Sequence, residues 1–521
     1  MRKTFLLLLL LAGCSKNERE LPKKPNIIVI MTDQERMVMH WPEGWAEKHL
    51  PSLMRLHKHG LQFTRAYTAA CECSPSRAAM MTSVYSTINH VPRTPPIPGL
   101  LTDDKLLNIG SLLQQEAGYD VIWKGKWHLS LPEKGGNEWS EADIAMLQNN
   151  YDLLEWNPPD AGNAIQQIEI PKNAPPFSGL ATLGGGYADN DGRYIKGNSP
   201  DQPQQTKGFG ESVLDYINKV AATKKEERKP FCLFVSLVNP HDVWVYPNAW
   251  SDAGYKREDF ADLGISLPPN YEDNLSTKPS VQRKARDAFN KQAPLNSKAA
   301  EVEYVNFYAY LHTVVDKQIS ALLDALEKAE LLENTIIIRT ADHGELGLSH
   351  GMREKSYTAY EEMIHIPLII SNPQLFPEPI TTDSFYSHID LLPTIAELAG
   401  VPVKGAKGVS IVPILKDPSS SVQDSILFAY DDTFYLPTNT PGSHVRALRE
   451  GNWTYAVYYS ADGSHFEYEL YNLAKDPGQL HNLLYGNVSN EDAQEAARLH
   501  KLLSQRIVET NALPKDFPWP N

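Results

Sequence analysis

Cysteine is scarce in this chain. Four occur in 521 residues, too few for a protein of this size to rest on a disulfide framework. Positive charge is also short: 49 Lys and Arg stand against 64 Asp and Glu, a formal net charge of −15. No long basic run appears, which argues against nucleic acid as a partner, because backbone binding needs clustered positive surface. No apolar run approaches the roughly 20 residues that a membrane-spanning helix requires. No internal repeat or coiled-coil pattern is present, and Pro and Gly are scattered rather than periodic, as in an ordinary globular protein. What remains, 42% hydrophobic residues, is ample for a large core and for one large domain plus a smaller one.

The N-terminus reads as an address rather than as part of the fold. Arg2 and Lys3 precede an apolar run from Phe5 to Leu11, the pattern of a signal-peptide core. The run ends in Leu11-Ala12-Gly13-Cys14, which resembles a bacterial lipoprotein cleavage site with Cys14 as the lipidated first residue. Residues 1–13 are therefore expected to be a signal peptide and 14–24 a lipidated tether. Ser15 after the cysteine resembles outer-membrane sorting. The expected location is the bacterial envelope, at the outer membrane or periplasm, with the lipoprotein processing machinery as a partner.

The remaining sequence alternates strands and helices. Asn26 to Met31 is a continuous, β-branched apolar run that reads as a buried central strand ending at Thr32-Asp33-Gln34. Helices are expected at Leu50 to His59, from Ser76, at Leu106 to Ala117 before Gly118, at Glu211 to Ala222, and over Lys298 to Ala329 with room for a break. Strands are expected at Tyr119 to Trp123, Phe231 to Val238, Thr335 to Arg339 and Ile366 to Ser371. Residues 131–210 and 245–298 are polar and irregular and read as excursions around a pocket mouth or as surface insertions. Short strands at Ser425 to Ala429, Val445 to Arg449, Trp453 to Tyr459 and Phe466 to Tyr471, separated by turn signals, predict a small antiparallel sheet packed by a helix from Glu491 to Thr510. The expected fold is α/β: a mostly parallel or mixed central sheet flanked by helices over 25–400, and a smaller C-terminal subdomain with antiparallel sheet and helix over 401–521.

Three predicted strands end in polar clusters: Asp33-Gln34, His241-Asp242 and Asp342-His343. Ligands in open α/β sheets collect at such ends, and carboxylate, imidazole and amide oxygen together make a plausible divalent-metal set; helix caps and turn residues are the bland alternative. Cys232 reads as a buried strand residue, and Cys71 as a small buried residue or a source of an unwanted disulfide. Trp41, Trp45 and Trp127 suit a pocket wall or ordinary packing. His57 and His59 lie on different helix faces and are not read as ligands.

The segment Cys73-Ser74-Pro75-Ser76-Arg77, followed by Ala78 to Ser83, resembles the signature of type I sulfatases of the alkaline-phosphatase-like superfamily, bacterial arylsulfatases among them. In that family Cys-x-Pro-x-Arg marks the cysteine for oxidation to formylglycine. Gly125-Lys126-Trp127-His128-Leu129 resembles the second signature. Asp342 to Glu345, His350-Gly351 and Lys355 resemble the region of metal and sulfate contacts. Glu469 to Leu473, Asp476-Pro477 and Asn482-Leu483 resemble the family's C-terminal stretch.

The resemblance implies hydrolysis of sulfate monoesters by hydrated formylglycine. A formylglycine-generating enzyme becomes an expected partner, with an aryl or carbohydrate sulfate as substrate. It implies that Asp33, Gln34, Asp342 and His343, with the modified Cys73, hold one divalent cation. Arg77 would hold the formylglycine hydrate, Lys126 and Lys355 would contact sulfate oxygens, His128 would take a proton during sulfate release, and His241 would protonate the leaving oxygen, with Lys355. His350 ranks lower as a pocket residue. The chain departs from many relatives in having Asp33-Gln34 for two aspartates and Asp342-His343 for Asp-Asn. Calcium is expected, with manganese as the alternative because imidazole suits a softer metal. The same departures are shared by relatives resembling choline sulfatases and phosphonate monoester hydrolases, so a phosphonate monoester hydrolase or phosphodiesterase is the alternative. A non-catalytic surface lipoprotein that binds anionic sugars is the alternative of another class.

Overall fold

The computed structural model describes residues 19–94, 106–133, 140–156, 211–251, 255–355, 357–433, 436–437 and 439–520. The expected signal peptide, Cys14 and most of the excursion between 131 and 210 lie outside the described residues. In chain order the elements used below are β1 (Asn26–Asp33), β2 (Gly60–Tyr67), β3 (Ala70–Cys71), α1 (Cys73–Thr82), β4 (Asp120–Gly125), α2 (Val213–Ala222), β5 (Phe231–Pro240), α3 (Ser280–Gln292), α4 (Lys298–Lys328), β6 (Thr335–Ala341), β7 (Leu368–Ser371), β8 (Ile380–Ser387), α5 (Leu391–Ala399), β9 (Ser425–Tyr430), β10 (His444–Glu450), β11 (Trp453–Tyr459), β12 (Phe466–Asn472) and α6 (Asn490–Thr510).

The larger sheet has seven strands in the order β4-β5-β1-β6-β7-β2-β8. The strands β4, β5, β1 and β6 run parallel, β7 is antiparallel to both neighbours, and β8 is again parallel to β2. The sheet is mixed, in line with the expected α/β class. Continuous apolar runs make its central strands: Ile27, Val29 and Met31 of β1 face one core cluster and Ile28 and Ile30 face another. Burial on both faces is why these strands carry no polar alternation. Helices α2 and α4 cover one face, and α5 lies in the core of the other. The second sheet has the order β12-β11-β10-β9-β3, antiparallel except for β3, which pairs parallel to β9. Helix α6 packs on it through Leu499, Leu503 and Ile507. The pairing Cys71↔Tyr430 ties the segment leading into α1 to this second sheet.

Several elements differ from the sequence reading. Helix α4 is one unbroken helix of 31 residues. Helix α3 falls in a stretch read as irregular: it buries only Val281, Gln282 and Ala285, too few apolar positions to show a helical period. Strands β2 and β8 escape the sequence reading, because each mixes polar and apolar positions at the side of the sheet where direction reverses. The helix expected from Leu106 begins at Ile109, capped by the Asn108 side chain accepting from Ser111 N, and widens over Leu112–Ala117 into i→i+5 bonding.

Candidate active site

The parallel strands β5, β1 and β6 are immediate neighbours, so their C-terminal ends bring His241, Asp33 and Asp342 to one place. Helix α1 starts there, with Cys73 as its first residue, and all ten of its residues are buried. Its N-terminal end therefore brings the partial positive charge of the helix to the site, which favours an anion. Ser76 Oγ donates to the Asp342 carbonyl at 2.6 Å, and Ser74 Oγ to the His128 carbonyl at 2.6 Å. These two bonds pin α1 onto β6 and onto the loop after β4. That loop can approach only because of Gly125, which has φ +99° and whose added Cβ would lie 2.0 Å from the Ser236 carbonyl oxygen. Lys126 N then donates to that same carbonyl at 3.0 Å.

Four donor atoms converge: a carboxylate oxygen from each of Asp33 and Asp342, His343 Nε2 and Cys73 Sγ all lie within 4.8 Å of one another, all on buried residues. His343 Nδ1 lies 2.9 Å from the Gly344 carbonyl, and its Nε2 is 3.2 Å from Cys73 Sγ. A proton on Nδ1 satisfies that carbonyl and leaves the Nε2 lone pair toward the cluster. Arg77 clamps the carboxylates, with Nη2 2.8 Å from Asp33 Oδ2 and Nε 2.9 Å from Asp342 Oδ2. Its Nη1 donates to the Lys126 carbonyl and to Ser236 Oγ, each at 2.8 Å. Lys126 Nζ lies 2.7 Å from Asp33 Oδ2. Asp342 Oδ1 accepts from the backbone N–H of Gln34 at 3.1 Å and of His343 at 2.9 Å.

This charge pattern separates the two carboxylates. Burial would raise Asp33, but Lys126, His241, Arg77 and His343 outweigh it and hold the carboxyl well below its ordinary range. Burial and the neighbouring Asp33 charge push Asp342 up. Burial, then the Lys355 and Lys126 ammonium groups, push His241 well below the usual imidazole value; burial, Lys126 and Arg77 do the same to His128. Both imidazoles are therefore neutral at neutral pH. Burial alone would lower Lys355, but Cys73, Glu354, Asp33 and Glu72 keep it charged. Two carboxylates, an imidazole and a sulfur, buried together and ringed by cations, form a donor set suited to a divalent ion and to an anionic substrate.

Residues 25–401 match the family described as Sulfatase. The chain belongs to the sulfatase family. A second match, described as the C-terminal region of N-sulphoglucosamine sulphohydrolase, covers residues 348–509. The N-acetylglucosamine-6-O-sulfatase of Bacteroides thetaiotaomicron is 25% identical over 97% of this chain and 89% of its own length. A protein solved in complex with its substrate D-glucosamine-2-N,6-O-disulfate superposes with a TM-score of 0.67 at 20% identity, covering 95% of this chain and 99% of that one. The phosphonate monoester hydrolase of Agrobacterium radiobacter has the same fold, with a TM-score of 0.64 at 20% identity over 93% of this chain and 96% of that one. Family membership makes this chain a sulfatase, a hydrolase of sulfate esters.

The sulfatase fold brings together Asp33, Cys73, Arg77, Lys126, Asp342 and His343 directly through these contacts. His128 and His241 border the group through the electrostatic influence of Lys126, Asp33 and Lys355. Gln34 bonds Asp342 through its backbone N–H; its amide oxygen accepts from Lys355 Nζ, and its amide nitrogen donates to Glu345 and Glu354. His350 is engaged by Asp273 Oδ2 at 2.8 Å and Asn270 Nδ2 at 3.1 Å and stacks on Tyr360. Trp127 is core, edge-on to Trp123 at 4.9 Å, and Trp41 packs on Trp45 at 4.4 Å. Cys71 and Cys232 are buried free thiols. Sequence reasoning did not single out Ser236, Ser74 or Glu354. Ser236 sits inside an apolar strand where its hydroxyl breaks the pattern, which was the available signal; Ser74 and Glu354 adjoin residues already named.

Proposed function

We propose that this sulfatase removes sulfate from a sulfated sugar, with Cys73 oxidised to formylglycine as the nucleophile. The observation that carries this reading is the convergence of Cys73, Arg77, Asp33, Asp342 and His343 in one buried cluster around the Cys73-Ser74-Pro75-Ser76-Arg77 segment. An unmodified thiol would be a poor nucleophile in this cluster. Burial and Asp33 push Cys73 up to about 11, so little thiolate exists at neutral pH. Formylglycine hydrate supplies two hydroxyls on one carbon, so that one can attack sulfur and the other can expel sulfate. A divalent cation held by Asp33, Asp342, His343 and position 73, with Gln34 beside them, would supply charge neutralisation at a sulfate oxygen. Calcium suits the carboxylates, and manganese remains compatible with the imidazole.

The chain's own groups supply the rest. Arg77 holds the Asp33 and Asp342 carboxylates apart and steadies position 73. Lys126 and Lys355 bring ammonium groups to bind sulfate oxygens, and the N-terminus of α1 adds its partial positive charge. His128, neutral in the free site, is ready to accept a proton during sulfate release. His241 acquires a proton when the sulfate anion enters beside it, and then gives that proton to the leaving oxygen. The relatives that act on glucosamine sulfates support a sugar as the substrate. Maturation by a formylglycine-generating enzyme and lipid attachment through Cys14 at the outer membrane belong to the same proposal, resting on the signature and on the Leu11-Ala12-Gly13-Cys14 sequence.

The test is a side-by-side rate on an aryl sulfate, the matching phosphate and phosphonate esters, and glucosamine 6-sulfate. The protein is loaded with calcium, and conversion of Cys73 is verified by peptide mass. Dominant sulfate turnover that extends to the sugar supports the reading. Dominant phosphonate turnover would overturn it.

A further inference from the structure

The residue after Asp33 is held with unusual care. Gln34 has φ +65°, a left-handed conformation that costs a non-glycine residue energy. Its backbone is clamped on both sides: N–H to Asp342 Oδ1 at 3.1 Å, and the carbonyl receiving the Tyr308 hydroxyl at 2.8 Å. The side chain is equally determined. Nε2 donates to Glu354 Oε2 at 3.0 Å and to Glu345 Oε2, while Oε1 accepts from Lys355 Nζ. Only this orientation satisfies the partners, because a flipped amide would set its oxygen against two carboxylates and its NH2 against an ammonium.

The two carboxylates are themselves costly. Glu345 is fully buried and receives the Tyr304 hydroxyl at 2.9 Å and the backbone N–H groups of Gly347 and Glu354, each at 2.8 Å. Glu354 is 1% exposed, lies 3.6 Å from Lys355 Nζ, and its Oε1 has no hydrogen-bond partner among the described residues. A fold optimised only for stability would not bury this pair.

We propose that Glu345 and Glu354 are positioning residues: by occupying both donors of the Gln34 amide, they oblige its oxygen to face the Lys355 ammonium. The inference rests on the reading that Gln34 and Lys355 serve the sulfatase centre. An amide has two ends of nearly equal size, and only the oxygen end is useful to cations. Two carboxylates behind the nitrogen make the choice.

The test compares full-length wild type, Glu354→Met and Glu354→Gln. Thermal unfolding is followed in EDTA and against a CaCl2 titration, alongside KM and kcat on 4-nitrophenyl sulfate. For Glu354→Met the calcium midpoint should rise about tenfold or more, as for other supporting partners of metal ligands, and KM should rise as Lys355 loses its anchor. The unfolding temperature in EDTA should stay level or increase, because a buried, partly unpaired carboxylate is gone. Glu354→Gln retains an oxygen for Gln34 Nε2 and should return to within about threefold of wild type. Should Glu354→Met not fold, Gln34→Glu and Gln34→Glu/Glu354→Gln carry the test. The single variant sets three carboxylates together and should bind calcium poorly, and the double variant restores a donor opposite an acceptor and should recover. Unchanged calcium midpoint and KM in Glu354→Met, equal losses in Met and Gln, or a double variant no better than the single overturns the proposal while wild-type turnover keeps the sulfatase reading intact. A wild type whose unfolding ignores CaCl2 overturns the cation reading and this inference with it.

Discussion

Arg77 offers the sharpest test of the site's electrostatics. Replacing it by Met keeps much of the side-chain length and removes the guanidinium. Four contacts go: those to Asp33 Oδ2 and Asp342 Oδ2 at 2.8 and 2.9 Å, and those to Ser236 Oγ and the Lys126 carbonyl at 2.8 Å each. Asp33 keeps Lys126 Nζ at 2.7 Å, and Asp342 Oδ1 keeps its two backbone donors. Breaking one buried ion pair costs about 3–5 kcal/mol. Two carboxylates are affected here, but each keeps a partner, so about 4 kcal/mol is expected without metal. A divalent ion adds up to about 2.7 kcal/mol to any form present with a hundredfold excess over its Kd, wild type included, so the difference persists unless the variant binds the ion more tightly. The assay is urea unfolding by tryptophan fluorescence in EDTA and in saturating calcium. A variant within about 1 kcal/mol of wild type in EDTA would refute the reasoning, because that is the cost of an ordinary substitution. Turnover should be lost in both conditions, since calcium cannot replace the guanidinium that spans Asp33 and Asp342.

Other consequences are equally direct. Cys73→Ala should abolish turnover while moving the unfolding temperature little, because the thiol contributes a small volume to the core; near-wild-type rates would sink the nucleophile assignment. His241→Ala should slow esters of poor leaving groups far more than those of activated phenols, as expected when a proton donor to the departing oxygen is lost; an equal loss across a leaving-group series contradicts that role. His312 is buried, and burial outweighs Glu35 and the Tyr308 carbonyl to push its imidazole down to about 4. Its folded value lies below the unfolded one, so the stability present above pH 6.5 is lost as pH falls toward 4, by about 3 kcal/mol. His312→Asn should gain on wild type by that amount across this window in denaturant titrations at stepped pH, and parallel pH curves would exclude it.

Legibility followed burial pattern. Strands β1, β5 and β6 were readable because burial on both faces demands unbroken apolar runs, and their polar ends stood out by contrast. The segment Cys73 to Arg77 and the block Gly125 to Leu129 were readable as motifs, although nothing local says that Arg77 would reach Ser236. Helix α3 and strands β2 and β8 were not readable. Gln282 of α3 is buried by pairing with Glu469 and Tyr458 rather than by apolar packing, and such pairs are invisible to periodicity. The Gln34 side chain is the instructive case. Its type and position marked it as an oxygen ligand, but which way its amide faces depends on Glu345 and Glu354, more than three hundred residues along the chain.

The sequence by itself determined the α/β class, the family motifs and the chemical types gathered at the site, because these depend on local pattern and residue identity. Only the tertiary structure decided that β3 joins the C-terminal sheet, that Arg77 spans two carboxylates, and that Gln34 turns its oxygen toward Lys355. Those outcomes are set by hydrogen bonds and charges between segments far apart in the chain, where partners are fixed by the fold and leave no trace in local spacing.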